Sequence, residues 1–130
     1  MSEKSIVERL FIKPGNKVLL INPPEGYQIK LGALPKGATL LSSSDQPVEV
    51  IQVFVANRVE LEAQLPRLKK LLIPKGMMWV TYHKGTSKVK TDINRDTINA
   101  YALTIGLMGV AIISIDEDWS ALRLKLTQAK

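Results

Sequence analysis

Val18, Leu19, Leu20 and Ile21, followed at once by Asn22-Pro23-Pro24-Glu25-Gly26-Tyr27, constrain this chain more than any other stretch. A continuous apolar run of strand length reads as a strand covered on both faces, which belongs in a sheet with helices packed on both sides. Two successive prolines carry no backbone N–H and break the strand abruptly into a turn. In an open α/β sheet the loop after the first strand is the usual ligand position. What residues 22–27 lack therefore limits the whole molecule.

At 130 residues the chain is expected to form a single domain over residues 1–130. Its 45% hydrophobic and 23% charged residues are those of a globular protein and argue against disorder. The absence of cysteine excludes disulfides, thiolate catalysis and Cys-ligated zinc. A net charge of +6 permits attraction to nucleic acid, acidic proteins or anionic lipid without choosing among them. The two locally basic stretches, residues 67–75 and 84–90, read as solvated surface. No signal peptide and no apolar run of bilayer length are visible, so a cytoplasmic address and no membrane partner are expected.

Along the chain, residues 2–11 read as a short helix with Ser2 as N-cap and Ile6 and Leu10 in a narrow apolar stripe. Pro14-Gly15 ends it, and Lys17–Ile21 is the first strand. Residues 23–37 carry three prolines and three glycines, which leaves room for one short helix at residues 28–31. Residues 38–41 form a weak second strand and residues 48–56 a strong third. The link between them, residues 42–47, spans about 20 Å when extended, at roughly 3.3 Å per residue. That permits a return along a short parallel strand, and an antiparallel second strand is equally compatible.

Asn57 is an N-cap with Glu60 three residues on, followed by Leu61, Leu65, Leu68 and Leu72 at helical spacing. Pro66 predicts a kink or break, and Pro74-Lys75-Gly76 closes the helix. Residues 77–82 form the fourth strand, and residues 83–90 a basic loop. Thr91 or Asp92 is expected to cap a helix whose apolar positions are Ile98, Tyr101, Ala102 and Ile105, ended by Gly106 or Gly109. Residues 110–115 and 120–126 then form an antiparallel hairpin around the acidic turn Asp116-Glu117-Asp118.

This order predicts a small open, mostly parallel Rossmann-like α/β sheet of about six strands, ending in an antiparallel hairpin, with both long helices on one face. The opposite face needs cover. The two short helical segments supply part of it, and a second copy of the chain would supply the rest, so a homodimer through this helix-poor face is expected.

The second half, with Val53-Phe54-Val55, Leu71-Leu72-Ile73-Pro74-Lys75-Gly76 and the closing hairpin, resembles the C-terminal half of a class I methyltransferase. Over nearly its full length the chain also resembles an uncharacterised bacterial family of unknown function. That resemblance lies in Lys13-Pro14-Gly15, Pro24-Glu25-Gly26-Tyr27, Leu34-Pro35-Lys36-Gly37, Trp79, Lys84, Thr91-Asp92 and Asp116-Glu117-Asp118-Trp119-Ser120. It implies a class I methyltransferase-like sheet and no assigned activity.

In such a sheet S-adenosylmethionine is held by a glycine-rich loop after the first strand and an acidic residue after the second. Here the loop is Asn22-Pro23-Pro24-Glu25-Gly26, without any G-x-G, and only Asp45 stands where the ribose partner would. The alternative reading, a methyltransferase with an atypical cofactor loop, therefore rests on Asn22, Gly26 and Asp45. Asn22-Pro23-Pro24 also resembles the motif of amino-group methyltransferases, but Glu25 replaces its aromatic, and a rigid turn is the favoured reading. Lys84, Ser87, Lys88 and Lys90 before a helix N-terminus suit a phosphate or carboxylate, although Asp92 as N-cap would compete for the same amides. Of the acidic triplet, at most Asp116 and Asp118 converge, and a solvated turn is favoured over a cation site. His83, the sole histidine, reads as a loop or strand-end residue. Trp79 and Trp119 read as packing more than as base-stacking platforms.

The expected function is thus a non-catalytic Rossmann-like binding module for a protein or small anion, with no cofactor and no metal. Its candidate surface is Lys84, Ser87, Thr91, Asp92, Asp116, Trp119 and Ser120 at the carboxyl edge. S-adenosylmethionine enters only under the methyltransferase alternative, and nucleic-acid association through the basic surface is a weaker third reading.

Overall fold

The computed structural model describes residues 5–88 and 91–127. Its strands are β1 (Lys17–Ile21), β2 (Thr39–Leu41), β3 (Val48–Phe54), β4 (Leu72–His83), β5 (Leu107–Ser114) and β6 (Trp119–Leu126). Its helices are α1 (Ile6–Arg9), α2 (Tyr27–Leu31), α3 (Arg58–Lys69) and α4 (Arg95–Thr104). The strands form one sheet in the order β2-β1-β3-β4-β6-β5, parallel from β2 through β4 and antiparallel for the β6-β5 end. The fold is therefore the mixed α/β sheet with a closing hairpin that the sequence predicts.

The open direction of the second strand resolves as parallel, with Leu41 beside Leu19. Val50 stands opposite Val18, so residues 42–47 descend only about 10 Å and cross β1, another 10 Å or so, which an extended link spans. The short β2 makes a helix-free crossover possible.

Several local expectations are corrected. Ser2 lies outside the described residues, and the first helix is a single turn capped by Ser5, whose side chain accepts from Glu8 N while Glu8 reaches back to Ser5 N. The third strand ends at Phe54. Leu72 does not belong to the preceding helix but begins β4, because α3 stops at Lys69. Pro74-Lys75-Gly76 lies inside β4, where the pairing with β3 slips from Val48–Leu72 to Val50–Met77. Glycine is required in that bulge, since a Cβ at position 76 would come within 2.9 Å of the Glu49 carbonyl. Pro66 does not end α3; the Glu62 carbonyl that it deprives of an N–H accepts instead from the Tyr101 hydroxyl at 3.5 Å. α4 ends before Gly106, which takes φ 83°, and β5 starts at Leu107, earlier than expected.

The cap of α4 is neither Thr91 nor Asp92. Asn94 fills that role, accepting from Thr97 N at 2.9 Å while Thr97 Oγ1 accepts from Asn94 N at 2.7 Å. An Asn-x-x-Thr exchange satisfies two donors at once, and it frees the two upstream residues for contacts across the fold.

α3 and α4 lie on one face, burying Leu61, Leu65, Leu68, Ile98 and Ala102 against Leu19, Ile51, Val53 and Val80. On the other, Ile6, Val7, Leu10, Tyr27 and Leu31 cover Val18, Leu20, Val50, Phe54 and Trp79.

Candidate functional site

The parallel strands β1 to β4 all end on one edge of the sheet, and antiparallel β6 begins there. β1 has β2 on one side and β3 on the other, so the chain reverses its direction of winding at β1. The crevice between the carboxyl ends of β1 and β3 is the topological switch point where ligands of open α/β sheets bind.

At the β1 side, Asn22 takes the left-handed φ of 57° as the strand stops, and the Tyr27 N–H turns back onto the Pro24 carbonyl at 3.1 Å. Gly26 has φ 82° and open space where a side chain would stand. Tyr27 itself is buried beneath this turn. Its hydroxyl donates to Gln52 Oε1 at 2.9 Å, and Gln52 Nε2 donates to Thr81 Oγ1 at 3.1 Å. Burial, which penalises the phenolate, pushes the Tyr27 phenol up to about 12. Asp45 is exposed in the link that leads from β2 across β1 to β3.

At the β4 and β6 side the loops are tied to one another. Lys84 N donates to the Asp118 carbonyl at 2.8 Å, its Nζ donates to Ser114 Oγ at 2.7 Å, and Ser87 Oγ donates to Asp118 Oδ1 at 3.3 Å. Asp116 Oδ1 accepts from Asp118 N and Trp119 N, forming an Asx turn, while Oδ2 meets Lys30 Nζ at 2.9 Å. Partial burial raises the Asp116 pKa, but Lys30 and the two backbone donors outweigh it and hold the carboxyl below its usual range. Asp116 and Asp118 thus act within the turn, through different partners.

Ser120 joins Lys84 in lining a groove of about 540 Å³ with Tyr82, Asn94, Arg95 and Ile112. Thr91 and Asp92 sit elsewhere. Thr91 Oγ1 donates to the Ala56 carbonyl at 2.6 Å, and Asp92 Oδ1 accepts from Arg58 N at 2.8 Å, so both fasten the loop before α4 to the start of α3. Asp92 therefore places its negative charge at the N-terminus of α3, where the helix dipole favours it. Of the seven residues expected at this surface, Lys84, Ser87, Asp116 and Trp119 are joined around the β4 and β6 ends. Thr91 and Asp92 bridge toward β3 instead.

The two sides are connected by an aromatic row absent from the sequence-based site. Tyr27 packs edge-on to Phe54 with centroids 4.7 Å apart, Phe54 edge-on to Trp119 at 4.9 Å, and Trp119 stacks on His83 at 3.9 Å. His83 is the last residue of β4, as a strand-end reading predicts. Gln52 and Lys30 were also missed. Gln52 had a signal, a polar residue amid the apolar run of β3, whereas Lys30 resembles any other surface lysine.

No family model matches the chain, and no curated protein is similar to it in sequence. Solved structures are similar. The DhpI–SAH complex superposes with a TM-score of 0.64 at 11% identity, covering 92% of this chain and 81% of that one. A SAM-dependent methyltransferase from Aquifex aeolicus gives 0.62 at 12% identity over 92% and 86%. An rRNA methylase from Streptococcus thermophilus gives 0.62 at 9% identity over 98% and 99%. The chain thus has the class I methyltransferase-like Rossmann fold expected from the resemblance. No helix among the described residues is long and apolar enough to cross a membrane.

Proposed function

We propose that this chain binds S-adenosylmethionine at the switch point between β1 and β3 and serves methyl transfer to an acceptor docked over the ends of β4 and β6. The observation that carries the reading is the topological switch point, where parallel β2, β1 and β3 reverse the winding at β1. The similar folds of the DhpI–SAH complex and of the Aquifex aeolicus enzyme support it. This gives more weight to the methyltransferase alternative than to a non-catalytic module.

The residues present fit the adenosyl part of such a ligand. Gly26 leaves open space for close backbone approach, Asn22 is an exposed amide beside it, and Asp45 is an exposed carboxylate beyond β2 for ribose hydroxyls. When bound, S-adenosylmethionine supplies an activated methyl group. The protein's part is to hold and orient it, with Glu25 and Gly26 contributing the backbone N–H groups that Pro23 and Pro24 lack.

A second reading, a non-catalytic module for a protein or small anion at Lys84, Ser87, Thr91, Asp92, Asp116, Trp119 and Ser120, is favoured by the two prolines, which remove two of the five backbone donors of the loop at residues 22–26. Titration calorimetry with S-adenosylmethionine and its demethylated product separates the two. The cofactor reading expects a Kd on the order of 10 μM, weakened about tenfold in Asp45→Asn. No heat with either ligand at about 1 mM would leave only the module.

A further inference from the structure

The groove lined by Lys84 and Ser120, of about 540 Å³, continues along α4. A second cavity of about 240 Å³ shares Arg95, Asp96 and Ile112 with it and reaches Val110 and Leu122 on β5 and β6. The sheet on this side changes character within two residues. Val80, Leu122 and Ile112 stand side by side across β4, β6 and β5 on the α4 face, and two positions nearer the carboxyl end of β4 the same strands present Tyr82, Ser120 and Ser114. A row of aliphatic side chains is followed by a row of hydroxyls.

Of these hydroxyls, Ser114 Oγ is taken by Lys84 Nζ at 2.7 Å. Tyr82 is only 6% exposed, yet neither it nor Ser120 makes a side-chain hydrogen bond among the described residues. A polar group buried to this extent normally has a partner. Burial raises the Tyr82 pKa, so the phenol stays protonated and able to donate into the groove that it lines.

The charged groups around the row are also donors. Lys84 follows β4 and forms no ion pair among the described residues. Arg95 opens α4, and its acidic neighbour Asp96 lies 3.6 Å from its Nε with a side chain 86% exposed. The N–H groups of Arg95 and Asp96, first and second in α4, have no acceptor within the helix, since the Asn94 side chain serves Thr97 N. Two cations, two free hydroxyls and a helix start thus meet beside an apolar floor. An anionic oxygen group satisfies such a set, and an ammonium group does not.

We propose that this groove binds a small molecule with a phosphate or carboxylate head, held by Lys84, Arg95, Tyr82 and Ser120, and an apolar stem lying over Ile112 toward Val110. The site stands apart from the β1–β3 switch point, and its volume suits a small ligand. That this ligand accepts the methyl group rests on the methyl-transfer reading; that it binds does not.

Amide NMR titration of the full chain with phenyl phosphate and with phenylacetate tests the site, with benzyl alcohol as the uncharged control. Either anion is expected to shift the Arg95, Ile112 and Ser120 amides with a Kd on the order of 1 mM or tighter, and benzyl alcohol to bind about tenfold more weakly. Lys84→Gln is expected to weaken the anion about tenfold and Tyr82→Phe about threefold. Tyr82→Phe should meanwhile leave the urea midpoint unchanged or higher, because its hydroxyl has no partner to lose. The proposal is overturned if neither anion moves those amides at about 10 mM, if benzyl alcohol binds equally well, or if Tyr82→Phe lowers the midpoint and leaves the Kd as it was. Anion binding without S-adenosylmethionine binding would keep the site and remove its role as acceptor site. The reverse would remove the site and keep the cofactor reading.

Discussion

The two faces of the sheet are covered by different means. α3 and α4 are amphipathic helices of three turns or so that bury leucine and isoleucine against aliphatic strand residues. α1 and α2 have four and five residues, far too short to be stable alone. They are held by particular atoms: Trp79 Nε1 donates to the Leu10 carbonyl at 3.1 Å, and Tyr27 is anchored through Gln52 to Thr81. The first face should therefore respond to volume and the second to the identity of single polar groups. The aromatic row under the candidate site lies on the second face, so its geometry depends on those groups.

The largest effect is expected on the aliphatic face. Leu65 is fully buried in α3, and Leu65→Ala should cost about 2–5 kcal/mol in urea unfolding through lost burial and an uncollapsed cavity. Leu65→Met, which conserves volume, should cost less than about 1.5 kcal/mol. If the two substitutions cost the same, volume does not govern this face.

On the other face, Tyr27→Phe removes a single oxygen. It leaves the Gln52 carbonyl oxygen buried without its donor, and a cost of about 1–3 kcal/mol is expected. The same hydroxyl has a pH signature. Its native pKa near 12 lies above the ordinary 10.0, so between those values the unfolded chain releases a proton that the native state keeps. The Tyr27 contribution is complete below pH 10 and falls as pH rises toward 12, by about 2–3 kcal/mol. Alkaline unfolding of Tyr27→Phe should lack that part of the slope; an identical slope would show that the phenol is not held by this face.

The same contrast explains what was legible in the sequence. Leucines three and four apart announce α3, and unbroken apolar runs announce β1 and β3, because burial on a regular element leaves a periodic record. α2 is visible only as the gap between prolines and glycines. The α4 cap was misassigned because Thr91, Asp92 and Asn94 are all good caps locally. Tertiary partners decide among them: Ala56 takes Thr91, and Arg58 N takes Asp92. At the candidate surface, the sequence reading singles out Lys84 and Trp119 by their place at strand ends. The Tyr27–Phe54–Trp119–His83 row leaves no such sign, because it joins four positions from separate elements with no common spacing.

The smallest effect is expected where that face meets solvent. Asp116 is held below its usual pKa range, so its contribution is complete above the unfolded value and is lost as pH falls through the native one. With the Lys30 side chain 54% exposed, screening limits this to about 0.3–1 kcal/mol. Asp116→Asn retains an oxygen for the backbone donors of Asp118 and Trp119 and loses only the pairing with Lys30. Its acid unfolding limb should be shallower, and the difference from wild type should shrink in high salt. Asp116→Ala also frees the Trp119 N–H, which should loosen the stacking on His83 and change the tryptophan emission. If Asn and Ala changed the emission equally, the Lys30 pair rather than the Asx turn would orient Trp119. The second face would then rest on a solvent-exposed charge, and its dependence on buried single atoms would end at Phe54.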